Sequence, residues 1–410
     1  MEFFNRYKKV FYVLAFLLFS LFIGYLIYQL FFKPSVKPIG TPTGTTTPSG
    51  QLPTSQTGKP FASTTGVTTG EERNNLPESQ ASETAKGGLT ETTEIAKNNT
   101  LNATLSADGE KIQFYDTTDG KFYRVDENGK VTALSDKVFY NVEKVTWSPD
   151  RDEAILEYPD GANIVYNFNT KEQITMPSHW KEFDYSPNGE KLVLKSIGLD
   201  TENRWLAVAN KDGSQVRAIE ALGEEDDTVY PSWSPNNQMV AMYTKGVDFN
   251  RQEVYFVGLN DENFKSTVIE GRGFQPAWSP DGNRLVYSVY SSDNDMKPQL
   301  WAVDASGDNI GNNRKRLNIE TWAEKCAYSS TNEMFCAVPD NLPEGAGLFP
   351  ELAKTTSDKL YKINLNTGLK KLVAVPDGSY NMSDLIVSED GSNLFFTDSN
   401  SQKLYKIRLK

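Results

Sequence analysis

The chain has 410 residues, enough for two or three ordinary domains or one large repeat domain. Aromatic residues make up 12%, with 19 Tyr and 22 Phe, a content that suits a β-rich protein. The formal net charge is −12, and residues 89–410 alone carry about −15, a surface that repels phosphate backbones and excludes nucleic acid as the expected partner.

In chain order, Arg6, Lys8 and Lys9 precede 23 uncharged residues from Val10 to Phe32. A helix of that length spans a hydrocarbon core. Tyr12, Tyr25 and Tyr28 lie toward its ends, as in an aromatic belt. A cleaved signal peptide would end in small residues, whereas this run ends Leu30-Phe31-Phe32-Lys33-Pro34, so the expectation is an uncleaved anchor within residues 1–33. The basic residues before the span place the N-terminus in the cytoplasm and the rest outside it. Residues 34–88 are dominated by Ser, Thr, Gly and Pro and are expected to be a disordered linker, since they offer little to bury against the entropy of ordering.

From residue 89 a short pattern recurs. Trp278-Ser279-Pro280-Asp281-Gly282 joins an aromatic residue to a turn, and the β-rich run Leu285 to Tyr290 follows. Related segments begin at Leu105, Trp147, Tyr185, Trp233, Tyr328 and Val387, and every one keeps its serine. The serines are 42, 38, 48, 45, 50 and 59 residues apart, a period typical of propeller arrays. Each repeat divides into four short strands, as at Val145 to Ser148, Ala154 to Tyr158, Asn163 to Phe168 and Gln173 to Met176. The last repeat has only three strands before Lys410, and the β-capable run Thr90 to Ile95 is expected to supply the missing edge and close the ring. The expected fold is an all-β, seven-bladed β-propeller of four-stranded blades over residues 89–410; six blades would require the repeat at Ser106 to be something else.

These Trp-Ser-Pro-Asp-Gly repeats resemble those of TolB-type, WD-repeat-like β-propellers over about three quarters of the chain. The resemblance implies the fold and a role at the cell envelope. It does not single out one activity, because the same repeat serves scaffolds, peptidase propellers and lyases.

Catalytic signals are sparse. There is no G-x-S-x-G elbow, zinc spacing, phosphate loop or dinucleotide fingerprint, and one histidine, His179, stands in a loop before a blade. No enzyme activity, catalytic residue, cofactor or metal is expected. The acidic runs Glu224 to Asp227 and Asp293 to Asp295, and the pair Asp304 and Asp308, are oxygen-rich loops that could hold Ca²⁺ or simply be solvated turns. Asn98, Asn102 and Asn381 begin glycosylation sequons. Cys326 and Cys336 flank one hairpin turn and are expected opposite each other, either as a disulfide or as two buried thiols.

An aromatic residue stands at the entry to six blades: Tyr140, Trp180, Tyr230, Phe274, Trp322 and Tyr380. Either they form a rim for a protein or peptide partner, or they wedge between blades as core. A long connection in the sixth repeat, about Pro339 to Asp358, is either a binding loop or partial lid, or an inert insertion. The expected function is a membrane-anchored, extracytoplasmic scaffold that binds a protein or peptide at the envelope. The alternative is an enzyme or carbohydrate-binding module with its site in the channel mouth.

Overall fold

The computed structural model describes residues 80–86 and 88–409, and Phe19 besides. The expected anchor at residues 10–32 and most of the linker at 34–88 lie outside the described residues. Among the described residues no helix is long and apolar enough to cross a membrane. The end of the linker segment is described: Glu83–Lys86 forms one helical turn, α1, and Ser82 just before it donates its N–H to the Leu372 carbonyl (3.0 Å).

Among the described residues, 28 strands form seven four-stranded antiparallel sheets. The first strand is β1 (Thr92–Ala96). Blade 1 is β2–β5 (Thr100–Leu105, Ile112–Asp116, Lys121–Val125, Val131–Ala133). Blade 2 is β6–β9 (Lys144–Trp147, Glu153–Glu157, Asn163–Asn167, Gln173–Met176). Blade 3 is β10–β13 (Trp180–Tyr185, Lys191–Ile197, Arg204–Asn210, Arg217–Ala221). Blade 4 is β14–β17 (Val229–Pro231, Met239–Asp248, Arg251–Gly258, Thr267–Glu270). Blade 5 is β18–β21 (Arg272–Trp278, Arg284–Tyr290, Gln299–Asp304, Lys315–Arg316). Blade 6 is β22–β25 (Cys326–Ser330, Glu333–Pro339, Asp358–Asn364, Lys370–Ala374). Blade 7 is β26–β28 (Met382–Val387, Asn393–Asp398, Leu404–Arg408) with β1 as its outer strand. The seven-bladed count and the closing strand are as the repeat spacing predicts. The outer strand of blade 5, Lys315–Arg316, is short, and Asn318 just beyond it turns left-handed (φ 50°).

The repeated serine has a local cause. In blade 5 the Ser279 hydroxyl donates to Asp281 (2.6 Å) and accepts the Arg284 N–H (3.0 Å), while Gly282, at φ 68°, returns its N–H to the Ser279 carbonyl (2.8 Å). The same pair of bonds recurs at Ser186, Ser234 and Ser388. The side chain thus satisfies polar groups that the tight turn buries. Arg151, the one turn residue that is neither Gly nor Asn, still takes the left-handed conformation (φ 62°).

The second strand of each blade is buried on both faces, as in β3 and β7, because it packs against a neighbouring blade on either side. Seven apolar clusters fill the seven gaps between blades; Ile95 and Leu404 meet Phe114 across the gap between blades 7 and 1. The ring is therefore closed twice, by the β1–β28 ladder and by a continuous apolar core. The antiparallel meander puts the turns after the first and third strands on one face, and the connections after the second and fourth on the other.

Candidate functional site at the loop-rich face

The loop-rich face carries all six blade-entry aromatic residues, but it does not display them together. Tyr140 is 70% exposed. Trp180, Phe274 and Trp322 are 4%, 2% and 6% exposed and offer almost no surface to a partner. Trp180 and Phe274 belong to interblade cores, because each stands where one blade's inner strand meets its neighbour. Tyr230, half-buried, packs edge-on against Phe274 with ring centres 5.7 Å apart. Tyr380, also half-buried, packs at a tilt against Tyr405 (ring centres 4.7 Å apart) and meets the Thr92 hydroxyl (2.8 Å), so it braces the closing blade.

Besides Tyr140, the exposed apolar side chains of this face sit in the connections after the second strands of blades 3, 4 and 6, which the blade-entry pattern missed. Leu199 lies in that connection of blade 3, Val247 and Phe249 at the tip of blade 4, and Leu348, Phe349 and Leu352 in blade 6. Such loops are read from sequence as polar turns, and only their common face makes the residues a group.

The long connection of blade 6 is a packed element. It carries a short helical turn at Pro350–Ala353. Leu342, Ala346 and Ala353 pack on Trp322 as a small satellite core. Gly345 and Gly347 donate to the carbonyls of Asp295 and Met296 in blade 5 (2.9 and 2.7 Å). A Cβ on Gly347 would fall 2.5 Å from the Tyr290 Cβ, so only glycine allows this approach.

Two cavities flank Trp322 beneath this loop. One, of about 240 Å³, brings together Tyr230, Phe274 and Trp322 between blades 4, 5 and 6. The other, of about 370 Å³, lies between blades 6 and 7 and is lined by Trp322, Glu324, Lys325, Ala353, Met382 and Asp384, among others. A third, wider cavity of about 660 Å³ on blades 2 and 3 includes His179 and Leu199.

The electrostatics concentrate at the second cavity. The buried Lys325 ammonium contacts Asp358 (2.7 Å) and Asn381 (2.8 Å), and Asp358 also accepts the Met382 N–H (2.6 Å). Burial pushes the Asp358 carboxyl up, against the opposing pull of Lys325. Asn381 in turn donates to the Ala353 and Lys354 carbonyls, tying the loop to blade 7. Burial, with the nearby Glu324 charge added, pushes the Asp384 carboxyl up to about 6. Glu324 is itself raised by the surrounding protein although its side chain still meets solvent. On the inner strand of blade 3, burial raises Asp184 to about 6 while the N–H groups of Trp233 and Tyr185 pull it back.

Among the described residues no three His, Cys, Asp or Glu side chains converge as metal ligands would. Asp226, from the first acidic run, pairs with Arg204 (2.9 Å). Of the three sequon asparagines, Asn102 in blade 1 accepts the Val145 N–H of blade 2 (2.9 Å), Asn98 bonds Asp116, and Asn381 is buried. Cys326 and Cys336 face each other in the β22–β23 ladder and are joined as a disulfide.

No protein-family model matches the sequence. The fold is similar to an oligogalacturonate lyase solved in complex with manganese: 17% identity over 78% of this chain and 93% of that one, TM-score 0.50. It is equally similar to the oligogalacturonate lyase of Vibrio parahaemolyticus: 13% identity, the same coverage, TM-score 0.50. The tricorn protease aligns over 78% of this chain and 34% of its own, at 13% identity and TM-score 0.49. At these identities the likeness is one of fold, a seven-bladed propeller.

Proposed function

We propose that this chain is a non-enzymatic scaffold that holds a protein or peptide partner on the loop-rich face of its propeller. The observation that carries this reading is the gathering of Tyr140, Leu199, Phe249, Phe349 and Leu352, all exposed, on connections that open on that one face. Exposed apolar and aromatic side chains over a rigid frame are the usual anchors of a protein interface. The blade-6 loop supports the reading further, because it presents Leu348, Phe349 and Leu352 from a base fixed by Trp322 and Asn381, which limits the entropy lost on binding.

The place of action belongs to the same proposal. Residues 10–32 anchor the chain in a membrane with the N-terminus in the cytoplasm, and the propeller works outside it, at the cell envelope. A disulfide between Cys326 and Cys336 suits an oxidising compartment, and the TolB-type resemblance of the repeats points to the envelope.

The test is comparative. The intact chain captures its partner from the native envelope, and the captured protein is then measured against variants. Phe249→Asp and Phe349→Asp are expected to weaken that association by about tenfold or more, whereas Val268→Asp, on the outer strand of blade 4, leaves it unchanged. Loss on Val268→Asp with full binding by the two loop variants would overturn the proposal.

A further inference from the structure

Four blades share one irregularity at the start of the inner strand. In β2, β10, β18 and β26 the pairing to the next strand skips two residues, and the first of these is left-handed: Asn102 (φ 46°), Glu182 (φ 54°), Gly273 (φ 67°) and Asp384 (φ 46°). The register also fixes which second-strand residue stands beside each bulge. These are Tyr115, Lys195, Tyr290 and Thr397, the partners of Leu101, Lys181, Arg272 and Ser383.

In three blades the bulge residue is accounted for. Asn102 caps the inner strand of blade 2 through Val145 (2.9 Å). Glu182 holds the Lys195 ammonium, which is almost fully buried, at 2.7 Å. Gly273 is covered by the Tyr290 ring, which a Cβ at that position would meet at 2.3 Å. Blade 7 is different. Asp384 has no hydrogen bond or ion pair among the described residues, and its neighbour is the short Thr397. That threonine is 4% exposed, and its hydroxyl has no hydrogen-bond partner. It occupies the register position from which Lys195 reaches its carboxylate in blade 3. The cavity of about 370 Å³ that Asp384 lines opens at this end of the blade.

We infer that this cavity receives a lysine or arginine side chain of the bound partner, whose cationic end takes the place beside Asp384 that Lys195 takes beside Glu182. The inference rests on the partner-binding reading of the same face. Trp322, Met382 and Ala353 give the cavity apolar walls for the aliphatic stem, and the Trp322 indole adds a favourable surface for a cation. Glu324 lines the same cavity and adds a second negative charge without a partner among the described residues. Lys325 lowers the Glu324 carboxyl through space, but its ammonium is bonded to Asp358 and Asn381; Lys354 also lines the cavity from the loop, exposed and making no ion pair with either carboxylate among the described residues. Burial, with the Glu324 charge added, holds the Asp384 carboxyl up at about 6, and a cation placed beside it offsets both. A long-range bias helps as well, since the acidic chain attracts basic partners.

The probes are acetyl-Gly-Arg-Gly-amide, its lysine counterpart and its citrulline counterpart, titrated calorimetrically into the full-length chain. Saturable binding of a cationic peptide, with none for the neutral citrulline peptide, is expected. Thr397→Lys supplies blade 7 with the internal cation of blade 3 and is expected to abolish binding; Asp384→Asn is expected to weaken it by about tenfold or more. Thermal unfolding of both variants checks that the propeller is intact. Failure of both cationic peptides to bind, equal binding of the citrulline peptide, or unchanged affinity in the two variants would overturn the inference. Those outcomes leave the wider reading standing if Phe349→Asp still releases the partner. If the peptides bind as expected but the loop variants retain the partner, the wider reading falls alone.

Discussion

Thr92 pairs with Ile407 across the last joint of the ring, so the sheet of blade 7 joins the beginning of the propeller to its end. The pairing continues through Thr93 and Lys406 and through Glu94 and Tyr405. Just upstream, Thr90 donates its N–H to the Val375 carbonyl and accepts the Asp377 N–H, which fastens the entering chain to blade 6 as well.

A chain shortened to begin at Asn99 loses this strand and its apolar contacts at Ile95 and Ala96. About four ladder bonds at roughly 1 kcal/mol each set the scale before packing is counted. Its thermal midpoint is expected to fall clearly. A chain beginning at Lys86 keeps β1 and, of the described residues, loses the turn α1 with the Ser82 and Ala85 bonds, so it should melt close to the full chain. Equal midpoints for the two would show that β1 does not hold the ring.

The turn serines should be worth more than their size. Ser279→Ala leaves the Arg284 N–H without its acceptor inside the turn, at a cost of about 1–3 kcal/mol. Ser329→Ala, in the blade-6 turn where the hydroxyl is exposed and only reaches the Glu333 carbonyl at 3.3 Å, should be nearly neutral. Urea midpoints measured side by side decide it; equal losses would remove the role given to the hydroxyl.

Removal of the Asp384 charge should stabilise the propeller, and the sign follows from linkage. The unfolded carboxyl titrates near 3.8 and the folded one near 6, so between these values the folded state holds more protons. Stability therefore falls as pH rises through that window, and the penalty is complete above about 6. Asp384→Asn should raise the unfolding free energy at pH 7.5 by about 1–3 kcal/mol, reduced toward the lower figure because the side chain is partly exposed, and should give no gain below pH 4. A variant less stable than the native chain at pH 7.5 would contradict this.

The Cys326–Cys336 bond closes a short loop, with a sequence separation of 10. By loop entropy its loss costs about 2–3 kcal/mol. Protein taken from the envelope and denatured without reductant is expected to show no thiol open to alkylation, and reduction should lower the thermal midpoint. Two alkylatable thiols would remove both the bond and its support for an extracytoplasmic site.

The repeat architecture was legible in the sequence because it is written in local chemistry. In most repeats a serine, an aspartate or asparagine two residues on, and a glycine or asparagine after it set the turn through bonds no longer than the turn itself, as at Ser279, Asp281 and Gly282. The spacing of those turns carried the blade count, a three-stranded final repeat pointed to a closing strand, and two cysteines flanking one turn had to face each other. Tertiary structure decided which side chains the loop-rich face exposes and which it buries. Whether Trp180, Phe274 and Trp322 are rim or core depends on how closely the next blade approaches, a distance no local pattern encodes, and packing buries all three. The exposed group at Leu199, Phe249 and Phe349 comes from loops far apart in the chain, and only the ring brings them to one face. The same holds for Asp384. An aspartate next to a serine in a strand is unremarked in the sequence. Its unpaired charge stands out only when strand register sets Thr397 where blade 3 has Lys195, because a counter-ion is a matter of position in space and not of neighbourhood along the chain.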